Sequence, residues 1–167
     1  MMGGLPERID PLQLADQQVR LAGRIAVSRM GRLGGMLNNC GGEVDVIAEF
    51  GRDELRRPVL HLIAGAPLEL ICQRCMRPMT VVVEVNTNLA LVTNEAEAEQ
   101  LANRYESILV SAGRTSFTNM VEDELLLRLP MIPRHENDAA CIPVRSGDRA
   151  RTPENPFAVL ASLKRDD

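Results

Sequence analysis

The sequence predicts an α+β domain, and two patterns carry that prediction. Apolar residues recur with a period of two between Glu43 and Val110, and no long helical pattern interrupts them. Helical patterns lie before and after this stretch, which argues against alternating strands and helices in a parallel sheet. We therefore expect an antiparallel, partly closed β meander of five or six strands with helices at Leu12–Leu21, Thr118–Leu129 and Asn155–Leu163.

The N-terminal helix has a clear start signal. Asp10 can cap it, Pro11 suits the first helical position, and Gln13 stands at capping-box distance from the cap. Five glycines between residues 31 and 42 then predict a loop.

The strands follow this glycine-rich stretch. Val44–Phe50 alternates apolar with acidic residues, as a half-buried strand does. Gly65-Ala66-Pro67 predicts a turn between two further strands, at 59–64 and 68–72. Strands are also expected at 80–85, 89–92 and 105–110, with a short acidic helix within 94–104.

The helix at Thr118–Leu129 stacks Val121 and Leu125 on one face, and Pro130 ends it. Three acidic residues, Glu122, Asp123 and Glu124, follow one another near its start. Because adjacent helical positions point in different directions, we interpret them as solvated charges that compensate the helix dipole.

The domain organisation is predicted to be one α+β domain over 1–136, a polar linker over 137–153 and an amphipathic C-terminal segment over 154–167. A ten-residue helix is marginal alone in water, so this segment needs a surface that covers its apolar side chains. That surface is either the protein's own sheet or a partner, and the polar linker favours a partner. The expected partner-binding residues are Asn155, Phe157, Leu160, Leu163 and Lys164.

Composition excludes several classes of protein. The 167 residues are 45% hydrophobic and 25% charged, which is typical of a globular chain. No uncharged stretch reaches the roughly 18 residues of a transmembrane helix, and the N-terminus has no apolar signal region, so we expect a cytoplasmic protein without membrane partners. Aromatic residues are only 2%, which disfavours base stacking on aromatic platforms. No nucleophile, phosphate-loop or metalloprotease motif is present, which predicts that the protein is not an enzyme.

Arginine supplies almost all of the positive charge, since Lys164 is the single lysine. No acidic residue occurs between Asp16 and Glu43, although four arginines do. Arginine forks suit phosphate groups, so this stretch is a candidate RNA contact, and a solvated loop in an arginine-rich protein is the alternative. The candidate RNA-binding residues are Arg20, Arg24, Arg29, Arg32, Arg74 and Arg77.

Cys72-Gln73-Arg74-Cys75 has the spacing with which two thiolates bind one tetrahedral metal ion. His135 and Cys141 are the sensible further ligands, so Cys72, Cys75, His135 and Cys141 form a candidate zinc site. Reduced thiols at a turn are the alternative interpretation. A redox role is disfavoured because Pro78 and the following β-branched run predict a hairpin, not a helix. Cys40 is expected to be uninvolved.

Four segments occur in the order CQRC at 72–75, VEDEL at 121–125, a proline-containing stretch at 129–133 and NPFAVLASLK at 155–164. Together they resemble the YceD family, the bacterial large ribosomal RNA subunit accumulation proteins. The resemblance implies a role in the synthesis, processing or stability of large-subunit ribosomal RNA, with no established enzymatic activity. It points to a non-enzymatic ribosome biogenesis factor that binds precursor RNA or an assembly intermediate, and to a large-subunit ribosomal protein as a further partner. The alternative is a zinc-stabilised adaptor that binds protein only.

Overall fold

The computed structural model describes residues 5–101, 105–110, 115–136 and 141, and it confirms the α+β class. A 3-10 turn lies at Val27–Arg29. In chain order the helices and strands are β1 (Arg8–Ile9), α1 (Pro11–Asp16), β2 (Arg20–Ala26), α2 (Gly31–Gly34), β3 (Glu43–Arg52), β4 (Pro58–Ile71), β5 (Pro78–Val92), α3 (Glu95–Leu101), β6 (Glu106–Leu109), β7 (Thr115–Ser116) and α4 (Phe117–Arg128).

The main sheet has five strands in the order β2-β3-β4-β5-β6, and β1 pairs with β7 in a second, two-stranded sheet. The first four strands of the main sheet are antiparallel neighbours, as the meander predicts. β6 instead pairs parallel to β5, because α3 carries the chain back before β6 begins. The sheet is open, with β2 and β6 at its edges in the part of the chain that the structure describes, so it is not partly closed.

β4 runs without a break through Gly65-Ala66-Pro67, where a turn was predicted. The carbonyl of Glu69 accepts a hydrogen bond from Asn38 on the β3 side of the strand, at 2.8 Å. Pro67 lies two residues earlier, so its nitrogen faces the same side. The β3–β4 ladder ends at Gly65. The proline therefore costs the sheet no hydrogen bond.

α1 is shorter than predicted. The side chain of Asp10 caps it by accepting the backbone N–H of Gln13 at 3.1 Å. The helix ends at Asp16, and Gln18 adopts a left-handed conformation with φ 51°. This reversal allows β2 to begin at Arg20, which pairs with Glu49 of β3.

One face of the main sheet is buried beneath α1 and α4. The alternating residues Val44, Val46 and Ala48 of β3 point to this face and are buried. The rings of Phe50 and Phe117 meet there with centroids 6.5 Å apart, and join β3 to the first turn of α4. The other face carries charged residues in cross-strand pairs.

The predicted helix at Asn155–Leu163 and the predicted linker at 137–153 lie outside the described residues. Among the residues described, no helix is long and apolar enough to cross a membrane.

Candidate metal centre

The turn that joins β4 to β5 presents two cysteines to one side. The backbone N–H of Cys72 donates to the carbonyl of Arg77, and the N–H of Met76 donates back to the carbonyl of Cys72, both at 2.9 Å. Met76 closes the turn in a left-handed conformation with φ 57°. We call residues 72–77 the cysteine turn. It points the buried side chains of Cys72 and Cys75 inward.

The chain that follows α4 returns to this turn and adds the other two ligands. The backbone N–H of Gln73 donates to the carbonyl of Pro133 at 2.9 Å, which holds the two segments together. His135 Nδ1 then lies 3.5 Å from Cys75 Sγ, and Cys141 Sγ lies 3.6 Å from Cys72 Sγ. The four ligand atoms all lie within 4.8 Å of one another. The structure thus brings together all four residues of the predicted site, which we call the metal cluster.

These distances fit a tetrahedral zinc site. Zn–S bonds of about 2.3 Å and Zn–N bonds of about 2.0–2.1 Å place the ligand atoms of a tetrahedron about 3.8 Å apart for two sulfurs and about 3.6 Å apart for sulfur and nitrogen. The observed separations of 3.6 and 3.5 Å lie close to both values. Three sulfurs and one imidazole with no open position form a closed set, which is typical of structural zinc and not of catalytic zinc.

The thiols of the cluster differ in their readiness to ionise. Burial alone would raise the pKa of Cys72, but backbone N–H donors of Cys75, Arg74 and His135 and the His135 side chain outweigh it, so the pKa is lowered to about 5. Burial raises the pKa of Cys141 to about 11, and the neighbouring Cys72 and Cys75 add to the rise. The negative charge of a Cys72 thiolate therefore disfavours ionisation of a second thiol nearby. A divalent cation would offset this repulsion, because its positive charge stabilises all three thiolates together.

Cys40 lies outside this cluster, as expected. It is exposed, and its thiol lies 3.4 Å from the carbonyl of Gly34.

The four N-terminal arginines proposed for RNA contact do not form one cluster. Arg20 and Arg24 lie on the charged face of the main sheet, Arg29 lies in the 3-10 turn, and Arg32 lies on α2. Each is in an ion pair: Arg20 with Glu49, Arg24 with Glu43 and Asp45, Arg29 with Glu7, and Arg32 with Glu122 and Asp123. Arg74 and Arg77 are exposed on the cysteine turn.

The interpretation of the acidic residues of α4 as solvated charges is wrong for Glu122 and Glu124. α4 begins at Phe117, so Glu122 lies beyond the first turn and cannot compensate the helix dipole there. Its side chain is only 3% exposed, and Glu124 is buried as well. The spacing of residues could have indicated this burial, because Glu122 shares a helix face with the apolar position 125, three residues later.

Glu122 joins α4 to the glycine-rich stretch. Its Oε1 accepts the backbone N–H groups of Arg32 and Leu33 at 2.8 and 3.0 Å, and its Oε2 accepts the Arg32 guanidinium at 2.9 Å. These N–H groups belong to the first turn of α2, where no helix carbonyl is available to them. The carboxylate therefore explains why residues 31–34 form a helical turn within a predicted loop.

Fold and site together define a class: an open α+β domain in which a closed metal-ligand cluster ties the cysteine turn to the chain beyond α4. Residues 60–164 match the family described as large ribosomal RNA subunit accumulation protein YceD. A protein of that name from Haemophilus influenzae is 30% identical over 167 residues, which cover 96% of each chain. No solved structure matches the chain. The chain belongs to the YceD family.

Proposed function

We propose that this protein is a non-enzymatic factor that supports accumulation of large-subunit ribosomal RNA. The observation that carries the proposal is the relationship to a large ribosomal RNA subunit accumulation protein over 96% of both chains. The factor would bind precursor RNA or an assembly intermediate that contains it.

The environment of the two histidines supports a role without catalysis. His61 lies within β4, where its Nε2 is 3.0 Å from Asn86 Oδ1 and its Nδ1 is 3.5 Å from Glu49 Oε2. His135 faces the metal cluster. Both imidazoles thus have partners within the fold, and general acid/base chemistry would have to displace these partners.

We propose zinc as the ion of the metal cluster, with a structural role. The closed set of three cysteines and one histidine supports this choice, since soft thiolate ligands select zinc over magnesium or calcium. When bound, the ion would supply a cross-link between the cysteine turn and the segment after α4.

The decisive experiment is ultraviolet crosslinking in cells, followed by purification of the tagged full-length protein and sequencing of the bound RNA. We expect enrichment of large-subunit ribosomal RNA or its precursor over an untagged strain. Recovery of ribosomal proteins without RNA above background would contradict direct RNA contact.

A second candidate function, a zinc-stabilised adaptor that binds protein only, is favoured by one observation. A groove of about 760 Å³ runs beside the metal cluster between β5 and the segment after α4. Val82 and Ile132 line it and are 66% and 59% exposed, a degree of apolar exposure that suits a protein contact. The same crosslinking experiment separates the two functions.

A further inference from the structure

Two exposed arginines lie close to residues of the metal cluster in the sequence. Arg77 ends the cysteine turn and Arg134 directly precedes His135, and both are exposed. Neither forms an ion pair with any residue within 5–101, 105–110, 115–136 or 141. We call this pair the arginine face.

The N-terminal arginines, unlike the arginine face, are in ion pairs with acidic residues of the described chain. Arg20 and Arg24 lie opposite Glu49 and Asp45 on the sheet, at 3.0 and 2.8 Å. A phosphate that approached these guanidinium groups would also meet the carboxylates. Fewer counterions are released when an arginine already paired with an acid meets RNA, so such arginines contribute little to the affinity.

The two residues of the arginine face belong to chain segments about sixty positions apart, and the metal cluster holds the segments together. Cys72 and Cys75 lie in the cysteine turn and His135 directly follows Arg134, so an ion bound by these ligands would fix the two segments relative to each other. Two backbone N–H groups also link these segments directly: that of Gln73 donates to the carbonyl of Pro133, and that of His135 donates to the Cys72 sulfur. The relative position of the two arginines therefore depends on the ligands of one ion.

We infer that the arginine face binds the phosphate backbone of RNA, and that it does so only while the metal cluster is loaded. This inference rests on the proposed function and adds to it the contact surface and its dependence on metal. The contact would be to phosphates and not to bases, because the described residues that line the groove beside the metal cluster include no Phe, Tyr or Trp on which a base could stack. The guanidinium groups can each form paired hydrogen bonds with phosphate oxygens.

The test compares two double variants that each remove two positive charges. The probe is a fluorescein-labelled single-stranded RNA of about 20 nucleotides from large-subunit ribosomal RNA, and its binding is followed by anisotropy over a salt series. Each lost phosphate contact lowers the slope of log affinity against log salt concentration by about 0.7, so Arg77→Gln/Arg134→Gln should lower it by about 1.4. At roughly 0.1 M salt this corresponds to an affinity about 25-fold below that of the wild type. Arg20→Gln/Arg24→Gln should keep the wild-type slope.

The metal arm uses the full-length protein stripped with a chelator, with circular dichroism to verify that the sheet remains. We expect the stripped protein to bind RNA as weakly as Arg77→Gln/Arg134→Gln, and added zinc to restore the wild-type slope. If stripping unfolds the chain, the His135→Ala variant takes the place of the stripped protein in this comparison. It removes one ligand and leaves the three cysteines.

The outcomes separate the inference from the proposed function. If the wild-type protein binds RNA and Arg77→Gln/Arg134→Gln keeps its slope, the arginine face is wrong and RNA contact stands. If stripped, folded protein binds like the loaded protein, the metal dependence is wrong. If the wild-type protein binds no RNA at any salt concentration, direct RNA contact in the proposed function fails as well.

Discussion

The contact between Glu122 and α2 gives the sharpest prediction of stability. Glu122→Ala removes a buried carboxylate that accepts two backbone N–H groups and one guanidinium. The two N–H groups left without an acceptor cost about 1–3 kcal/mol each when buried, and the half-exposed Arg32 pair adds less than about 1 kcal/mol, so we expect a loss of about 3–5 kcal/mol. At about 2–4 °C per kcal/mol for a chain of this size, the melting temperature should fall by roughly 6–20 °C.

The assay is urea unfolding at pH 7, followed by circular dichroism, with two controls. Glu122→Gln keeps an acceptor oxygen of nearly the same shape, so it should lose about half as much stability. Asp123→Asn removes the exposed partner of Arg32 and should cost less than about 1 kcal/mol. A loss below about 1 kcal/mol in Glu122→Ala would refute the reasoning, because the carboxylate would then not hold α2.

The same contact predicts a dependence on pH. Burial alone would raise the pKa of Glu122, but the N–H groups of Leu33 and Arg32 and the Arg32 guanidinium outweigh it, so the pKa is lowered. A lowered pKa in the folded state gives stability that is complete above the unfolded pKa, about 4.3, and is lost as the pH falls through the folded value. The difference between wild type and Glu122→Ala should therefore shrink in acid and stay constant from pH 6 upward.

Three further predictions concern the metal cluster and the C-terminal segment. Purified protein should contain about one zinc per chain by mass spectrometry, and Cys72→Ser or a chelator should lower both the zinc content and the melting temperature. Met76→Gly should stabilise the protein by about 1 kcal/mol in urea unfolding, because a left-handed conformation costs a residue with a side chain about 1–2 kcal/mol relative to glycine. Met76→Ile should destabilise it, because a β-branched side chain is still less favourable in that conformation. Truncation after Arg151 should leave the melting temperature nearly unchanged yet fail to restore large-subunit ribosomal RNA in a deletion strain; unfolding of the truncated chain would instead make the segment part of the core.

The metal cluster could be predicted from the sequence because its chemistry is local and rare. Two cysteines at a turn need two more soft ligands, and the chain offers few, so His135 and Cys141 could be chosen without a structure. The period-two pattern likewise predicts β3, since alternation of buried and exposed residues is a property of a single strand.

Other features depend on contacts between distant segments, and sequence patterns do not contain these. Pro67 continues a strand because the hydrogen-bonded ladder between β3 and β4 stops at Gly65, a fact that depends on β3 and not on the proline. Glu122 is buried because α2 supplies N–H groups ninety residues earlier in the chain. The parallel pairing of β6 follows from the path of α3, which the alternation within β6 cannot report.

The unequal distribution of the four metal ligands along the chain has a consequence for the order of assembly. Cys72 and Cys75 come together as soon as β4 and β5 form their hairpin, which offers an ion two sulfurs and no more. His135 and Cys141 complete the set only after α4 has packed on the sheet and the chain has come back to the cysteine turn. If the cluster binds zinc as proposed, tight retention of the ion would mark a chain that has finished folding, and a chain stopped before that step should lose its metal to a chelator far sooner.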